Sequence, residues 1–80
     1  MSATEPGLTL DCRGKACPLP IIELGRHLGE VEIGTILGVA ADDPAARYDV
    51  PAWARMRQQE YVGELTAPDG VPIYLVRRLG

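Results

Sequence analysis

The hydrophobic and polar positions of this chain change their spacing at Pro18. Residues 8–12 alternate apolar and polar side chains, which is typical of a β-strand with one buried face. After Pro18 the apolar side chains recur at helical spacing, so that one helix face carries Ile21, Leu24, Leu28 and Val31. Gly29 and Gly34 then indicate where this helix ends. The pattern predicts a strand and a helix joined by a loop over residues 13–16.

The middle of the chain contains an apolar run over residues 35–41, which has the length of a strand. A strand that is apolar throughout is typical of a central strand buried on both faces. Residues 42–44 (Asp-Asp-Pro) end this run. Asp49 is a suitable N-cap for a second helix over residues 50–59, because its side chain can accept a hydrogen bond from the first turn. We expect the apolar side of this helix to carry Val50, Trp53, Ala54 and Met56.

The last part of the chain predicts two strands, over residues 61–67 and 71–78. Pro68, Asp69 and Gly70 between them suit a tight turn with Gly70 in the left-handed conformation. The element order is therefore β-α-β-α-β-β, with the first two strands parallel and the last two antiparallel. We predict an α/β two-layer sandwich in which two helices cover one face of a mixed four-stranded sheet.

Length and composition limit what such a fold does. The chain has 80 residues, enough for one domain, which we place over residues 8–80 after a flexible tail over residues 1–7. No apolar run approaches the ~18 residues that cross a bilayer, and the N-terminus lacks the basic start and apolar stretch of a signal peptide. We therefore expect a cytoplasmic protein without a membrane partner.

The charge pattern argues against direct binding of nucleic acid. The net charge is −3 and the isoelectric point is near 4.9, whereas proteins that neutralise phosphates carry an excess of basic residues. Two basic pairs interrupt the acidic surface, Arg13 with Lys15 and Arg77 with Arg78. They serve either solubility or docking to an acidic protein.

The two cysteines, Cys12 and Cys17, are expected to be free thiols, because disulfides are rare in the cytosol. They are too few for a zinc site, and His27 is the only histidine. We therefore predict no metal.

The chemistry concentrates in the segment Cys-Pro-Leu-Pro that begins at Cys17. Prolines are tolerated only in the first turn of a helix, where backbone N–H groups have no partner within the helix. This places Pro18 at the first helical position, Pro20 at the third and Cys17 at the N-cap. The helix dipole and the cations of Arg13 and Lys15 should then lower the pKa of the Cys17 thiol from ~8.5 toward ~7–8.

Cys12 ends the first predicted strand. It either packs in the core or acts as a second thiol that resolves or relays the bond on Cys17. Three functions follow from the two cysteines. The first is a sulfur carrier that uses Cys17, and the second is a thiol-disulfide redox protein that uses Cys12 with Cys17. The third is a non-enzymatic regulatory or interaction module, which would tolerate the loss of Cys17.

Residues 10–20 (Leu-Asp-Cys-Arg-Gly-Lys-Ala-Cys-Pro-Leu-Pro) resemble the signature of the TusA (SirA/YedF-like) sulfur-carrier family. Residues 41–44, 49–53 and 73–77 are similar to the rest of that family's pattern, so the resemblance covers residues 8–78. It implies a two-layer α/β sandwich and a persulfide-carrying cysteine at Cys17. Cys12 stands where well-known relatives often have alanine.

The resemblance also implies protein partners on both sides of the transfer. The donor would be a cysteine desulfurase or a rhodanese, and the acceptor another protein of sulfur transfer. The chain would act as a sulfurtransferase-type carrier rather than as a stand-alone enzyme. No cofactor is expected, because thiol-persulfide exchange requires only a thiolate, a leaving group and access.

Overall fold

The computed structural model describes residues 5–80, with the predicted element order. Its elements are β1 (Leu8–Asp11), α1 (Leu19–His27), β2 (Ile36–Ala40), α2 (Ala46–Met56), β3 (Glu60–Thr66) and β4 (Pro72–Arg77). A short 3-10 helix over Leu28–Glu30 continues α1. In this part of the chain, every helix is too short or too polar to cross a membrane.

The four strands form one mixed sheet in the order β1-β2-β4-β3. β1 runs parallel to β2, with Leu8 opposite Leu37, and β4 is antiparallel to both β2 and β3. The turn between β3 and β4 contains Gly70 at a φ of 88°, in the left-handed region that the sequence predicted. The predicted parallel pair, antiparallel hairpin and mixed sheet are confirmed.

Both helices pack on one face of the sheet, as predicted. The core joins alternate residues of β2 and β4 to the inner sides of the helices, and its largest members include Leu24, Leu37, Val39, Val50, Trp53, Tyr74 and Val76. All five residues of β2 are buried, which confirms its central position. The other face of β2 is covered as well, since Ile36 and Ala40 are 3% and 1% exposed.

The second helix begins earlier than the sequence predicted. α2 starts at Ala46, so that Asp49 lies in its first turn and is not the N-cap. The start is stabilised instead by Asp43, whose side-chain Oδ1 accepts a hydrogen bond from the Ala45 N–H at 2.9 Å. Aspartate readily bonds the backbone two residues further on, and this local contact starts the helix before Asp49 is reached. The prediction for Met56 is also wrong, since its side chain is 73% exposed.

The expected N-terminal tail falls partly outside the described residues, which begin at Glu5. The last residue of that segment, Gly7, donates a backbone hydrogen bond to the Ile36 carbonyl at 2.8 Å. Pro6 lies over β2, where a side chain added at Gly38 would come within 3.3 Å of the Pro6 Cβ. The chain is therefore attached to the sheet one to two residues before β1 begins.

Candidate functional site

The loop that carries Cys17 lies at the carboxyl ends of β1 and β2. Because these neighbouring strands are parallel, the segments that follow them meet at the same edge of the sheet. Asp43 Oδ2 accepts a hydrogen bond from the Cys17 N–H at 2.9 Å. Both carboxylate oxygens of Asp42 lie 3.1 Å from the Gly14 backbone nitrogen, which donates to them. Two adjacent carboxylates thus hold the cysteine loop at both ends.

Sequence reasoning missed this role, because it treated residues 42–44 only as the end of a strand. A usable signal was present. The Asp-Asp pair directly follows the strand that is parallel to the one preceding Cys17, and carboxylates placed there can reach backbone N–H groups of the neighbouring loop.

Arg13 fixes the other side of the same loop rather than acting on the thiol. Its guanidinium donates to Asp69 from Nε at 2.7 Å and from Nη2 at 3.2 Å, and to Asp11 from Nη1 at 3.0 Å. Arg13 is therefore bound by two carboxylates in the β3–β4 turn and β1. The expectation that it would lower the pKa of Cys17 is wrong. Lys15 is exposed, and its charge acts on Cys12, opposing the rise in that thiol's pKa.

The first helix begins one residue later than the two prolines predicted. Pro18 occupies the cap position, with no side-chain hydrogen bond to the first turn, and Pro20 is the second residue of α1. Both prolines therefore precede or open the first turn, as their missing N–H groups require. Cys17 lies before the cap, and the prediction that it is the N-cap is wrong. The Cys17–Pro18 peptide bond is cis.

The surroundings of Cys17 favour the protonated thiol. Partial burial raises its pKa to about 11, helped by the nearby carboxylates of Asp49 and Asp43. The predicted lowering toward neutrality is therefore wrong. The dipole argument assumed a sulfur at the helix N-cap and two free cations, whereas the structure places two carboxylates near the sulfur.

A shallow apolar groove adjoins the cysteine between the two helices. It has a volume of about 280 Å³ and is lined by Pro18, Ile21, Asp49, Ala52, Trp53 and Met56. Asp49 is the only acidic residue in this lining, and its carboxylate also helps to raise the pKa of the Cys17 thiol. Asp49, predicted to be a helix cap, is thus a residue of the candidate site.

The two cysteines differ sharply in access. Cys12 is 1% exposed and belongs to the core, and burial raises the pKa of its thiol. Cys17 is half-buried and packs on the edge of that core. Both are free thiols. A protein partner can therefore reach Cys17 and not Cys12, which favours the packing interpretation of Cys12. Between residues 5 and 80, no three His, Cys, Asp or Glu side chains are grouped as metal ligands.

Replacement of Asp43 tests whether this carboxylate holds the loop. We expect Asp43→Ala to lower the free energy of unfolding at pH 7 several times more than Glu32→Ala, a loss of the same charge at an exposed position beyond α1. The reason is that Asp43 accepts backbone hydrogen bonds from both Cys17 and Ala45. Urea titrations followed by circular dichroism measure the difference.

The effect should also depend on pH. The two backbone hydrogen bonds lower the pKa of Asp43 in the folded protein. Its stabilisation is therefore complete above the ordinary aspartate pKa and is lost as the pH falls through the lowered value. Equal losses in Asp43→Ala and Glu32→Ala at pH 7, or a difference that does not shrink as the pH falls below the ordinary aspartate pKa, would contradict the assignment.

The fold and site define a small α/β protein with one accessible cysteine at the carboxyl edge of a mixed sheet. The family model described as Sulfurtransferase TusA matches residues 8–78. The chain therefore belongs to the TusA family, as its signature predicted.

Two comparisons agree with this assignment. A protein of Archaeoglobus fulgidus named "Putative sulfur carrier protein" is 37% identical over 68 residues, which cover 85% of this chain and 88% of that protein. The crystal structure of a SirA-like protein from Desulfitobacterium hafniense has the same fold, with a TM-score of 0.76. That likeness covers 91% of this chain and 99% of the solved one at 24% sequence identity.

Proposed function

We propose that this protein is a sulfur carrier that holds sulfane sulfur as a persulfide on Cys17. The observation that carries the proposal is the position of Cys17. It is the accessible one of two free thiols, in a loop that three side chains hold at the sheet edge: Arg13, Asp42 and Asp43. Family membership and the name of the Archaeoglobus relative support a sulfur carrier role.

The loading step balances without an oxidant. The Cys17 Sγ attacks the terminal sulfur of a donor persulfide, which forms a new S–S bond and breaks the donor's S–S bond. The donor cysteine leaves as a thiolate and takes up a proton, while the Cys17 thiol gives one up. Delivery repeats the same exchange, with an acceptor thiolate attacking the outer sulfur of Cys17.

The site positions the Cys17 thiol but does not activate it as a nucleophile. Partial burial of the Cys17 thiol and the carboxylates of Asp43 and Asp49 oppose thiolate formation. Docking to a donor and an acceptor must therefore supply the rate. We propose that a cysteine desulfurase or a rhodanese is the donor, that another protein is the acceptor, and that residues 8–80 act in the cytoplasm as one domain.

The burial of Cys12 weighs against the dithiol redox alternative. Exchange requires that the attacking sulfur have access to its target, and the Cys12 side chain lies within the core cluster. The third alternative, a non-enzymatic regulatory or interaction module, differs from the carrier because it needs no sulfur on Cys17.

Incubation with a cysteine desulfurase and L-cysteine tests the proposal. Intact-mass spectrometry should show a gain of one sulfur atom, located on Cys17 by peptide mapping and removed by dithiothreitol. A redox pair would instead lose two hydrogen atoms on oxidation. If the protein stays unmodified with several desulfurases and with a rhodanese, the carrier proposal is wrong.

A further inference from the structure

The groove between α1 and α2 begins at the residue that follows Cys17. Pro18 and Ile21 form its α1 side, and Ala52, Trp53 and Met56 form its α2 side. A partner sulfur that approaches Cys17 along this surface therefore brings its flanking residues against apolar side chains. Met56 is 73% exposed, and Leu19 and Ile22 on the neighbouring turns of α1 are 48% and 49% exposed. The lining of the groove is apolar except for Asp49.

The charge of the groove is negative and is not neutralised within the protein. Asp49 is half-buried and forms no ion pair with any side chain of residues 5–80. Of the two basic residues of the cysteine loop, Arg13 is bound to Asp11 and Asp69, and Lys15 forms no ion pair within residues 5–80. A half-buried carboxylate beside an apolar groove is complementary to a positive charge with apolar neighbours.

We propose that this groove binds a protein segment that presents a basic side chain to Asp49 and an apolar side chain to the space between Ala52 and Met56. The segment is the part of the sulfur donor next to its reacting cysteine. The inference rests on the proposed function only for the identity of that protein. The chemistry of the groove stands on its own residues.

The basic side chain would do more than fix the docking position. In the free protein, the Asp49 carboxylate helps to raise the pKa of the Cys17 thiol, so that the thiol keeps its proton. A cation paired with Asp49 cancels one of the charges that oppose the thiolate, while burial and Asp43 remain. The fraction of attacking thiolate is then higher when its target is in place. Asp49 acts here as a positioning residue, which couples docking to the reactivity of Cys17.

Small disulfides of different charge test the groove without any protein partner. We measure the rate at which Cys17 forms a mixed disulfide with cystamine, which carries two ammonium groups, and with 2-hydroxyethyl disulfide, which is neutral. In Asp49→Asn, the ratio of these two rates should fall roughly fivefold, the upper range for a surface ion pair. Comparing ratios removes the intrinsic difference between the reagents and any change in the thiol itself.

Glu32→Gln serves as the matched control, because it removes the same charge from an exposed site beyond the far end of α1. Its ratio should equal that of the wild type. The wild-type ratio should also fall with rising salt, since ions screen exposed charges. A ratio that is unchanged in Asp49→Asn, or independent of salt in the wild type, would overturn the proposal even if the variant were poorly folded.

A desulfurase assay tests the apolar half and separates the two proposals. Ala52→Gln places a longer side chain in the groove and should raise the KM for this protein severalfold with kcat retained, while Glu32→Gln should not. Unchanged KM in Ala52→Gln and Asp49→Asn would overturn the docking site. If the wild-type protein takes up no sulfur, yet its preference for cystamine is lost in Asp49→Asn, the carrier function is refuted. The proposal that the groove binds a basic segment would still hold.

Discussion

Cys17→Ser is expected to abolish sulfur loading, and Cys12→Ala is expected to retain most of it. A serine hydroxyl is not ionised at neutral pH and does not hold sulfane sulfur, so Cys17→Ser has no group that can form the persulfide. Cys12 lies in the core with 1% of its surface exposed, out of reach of a donor. Its replacement by alanine removes one buried sulfur and leaves the Cys17 loop contacts in place.

The measurement is the fraction of protein that gains one sulfur from a desulfurase at a fixed time, read by intact mass. Circular dichroism shows whether each variant is folded, since Cys12→Ala leaves a small cavity in the core. The comparison separates the three functions that the two cysteines allow. A dithiol protein loses its chemistry in either variant, and an inert module gains no sulfur in any version. Loading that survives Cys17→Ser and disappears in Cys12→Ala would place the persulfide on the other cysteine.

The sequence predicted the fold well, because the fold depends on the spacing of apolar residues. The alternation in β1, the continuous apolar run of β2 and the turn at Gly70 are local signals, and each has the predicted conformation. The strand order was not predicted. It depends on which edge of β2 receives β4, and this choice is made by contacts between residues far apart in the chain.

The electrostatics of the site were predicted wrongly for the same reason. Arg13 and Lys15 are close to Cys17 in sequence, and they were expected to stabilise a thiolate. In the fold, Arg13 pairs with Asp69, which is 56 residues away along the chain. The carboxylates near the thiol are those of Asp43, in the segment before α2, and Asp49, in the first turn of α2. Local spacing selected Cys17, which is the less buried of the two cysteines, but only the tertiary structure shows which charges surround it.

The rate of Cys17 alkylation by iodoacetamide should rise tenfold per pH unit from pH 7 to pH 10 without reaching a plateau. The thiolate is the reactive form, and with a pKa of about 11 it stays a minor species throughout this range. At pH 7 the thiolate fraction would be ~10⁻⁴, against ~3% for an unperturbed thiol of pKa ~8.5. The higher intrinsic nucleophilicity of a more basic thiolate restores about tenfold, which leaves a reaction roughly 30-fold slower than that of a free cysteine.

Asp49→Asn should shift this profile to lower pH, because the substitution removes the charge that stabilises the protonated thiol. Glu32→Gln should leave the profile unchanged. A wild-type plateau at or below pH 8.5 would contradict the influence of the carboxylates and would support the helix dipole as the dominant effect. With the expected profile, the free carrier is protected from unspecific reaction at neutral pH. A bound partner that neutralises Asp49 removes one of the influences that raise the pKa of this thiol, so that sulfur exchange is faster in the docked complex than with small molecules in solution.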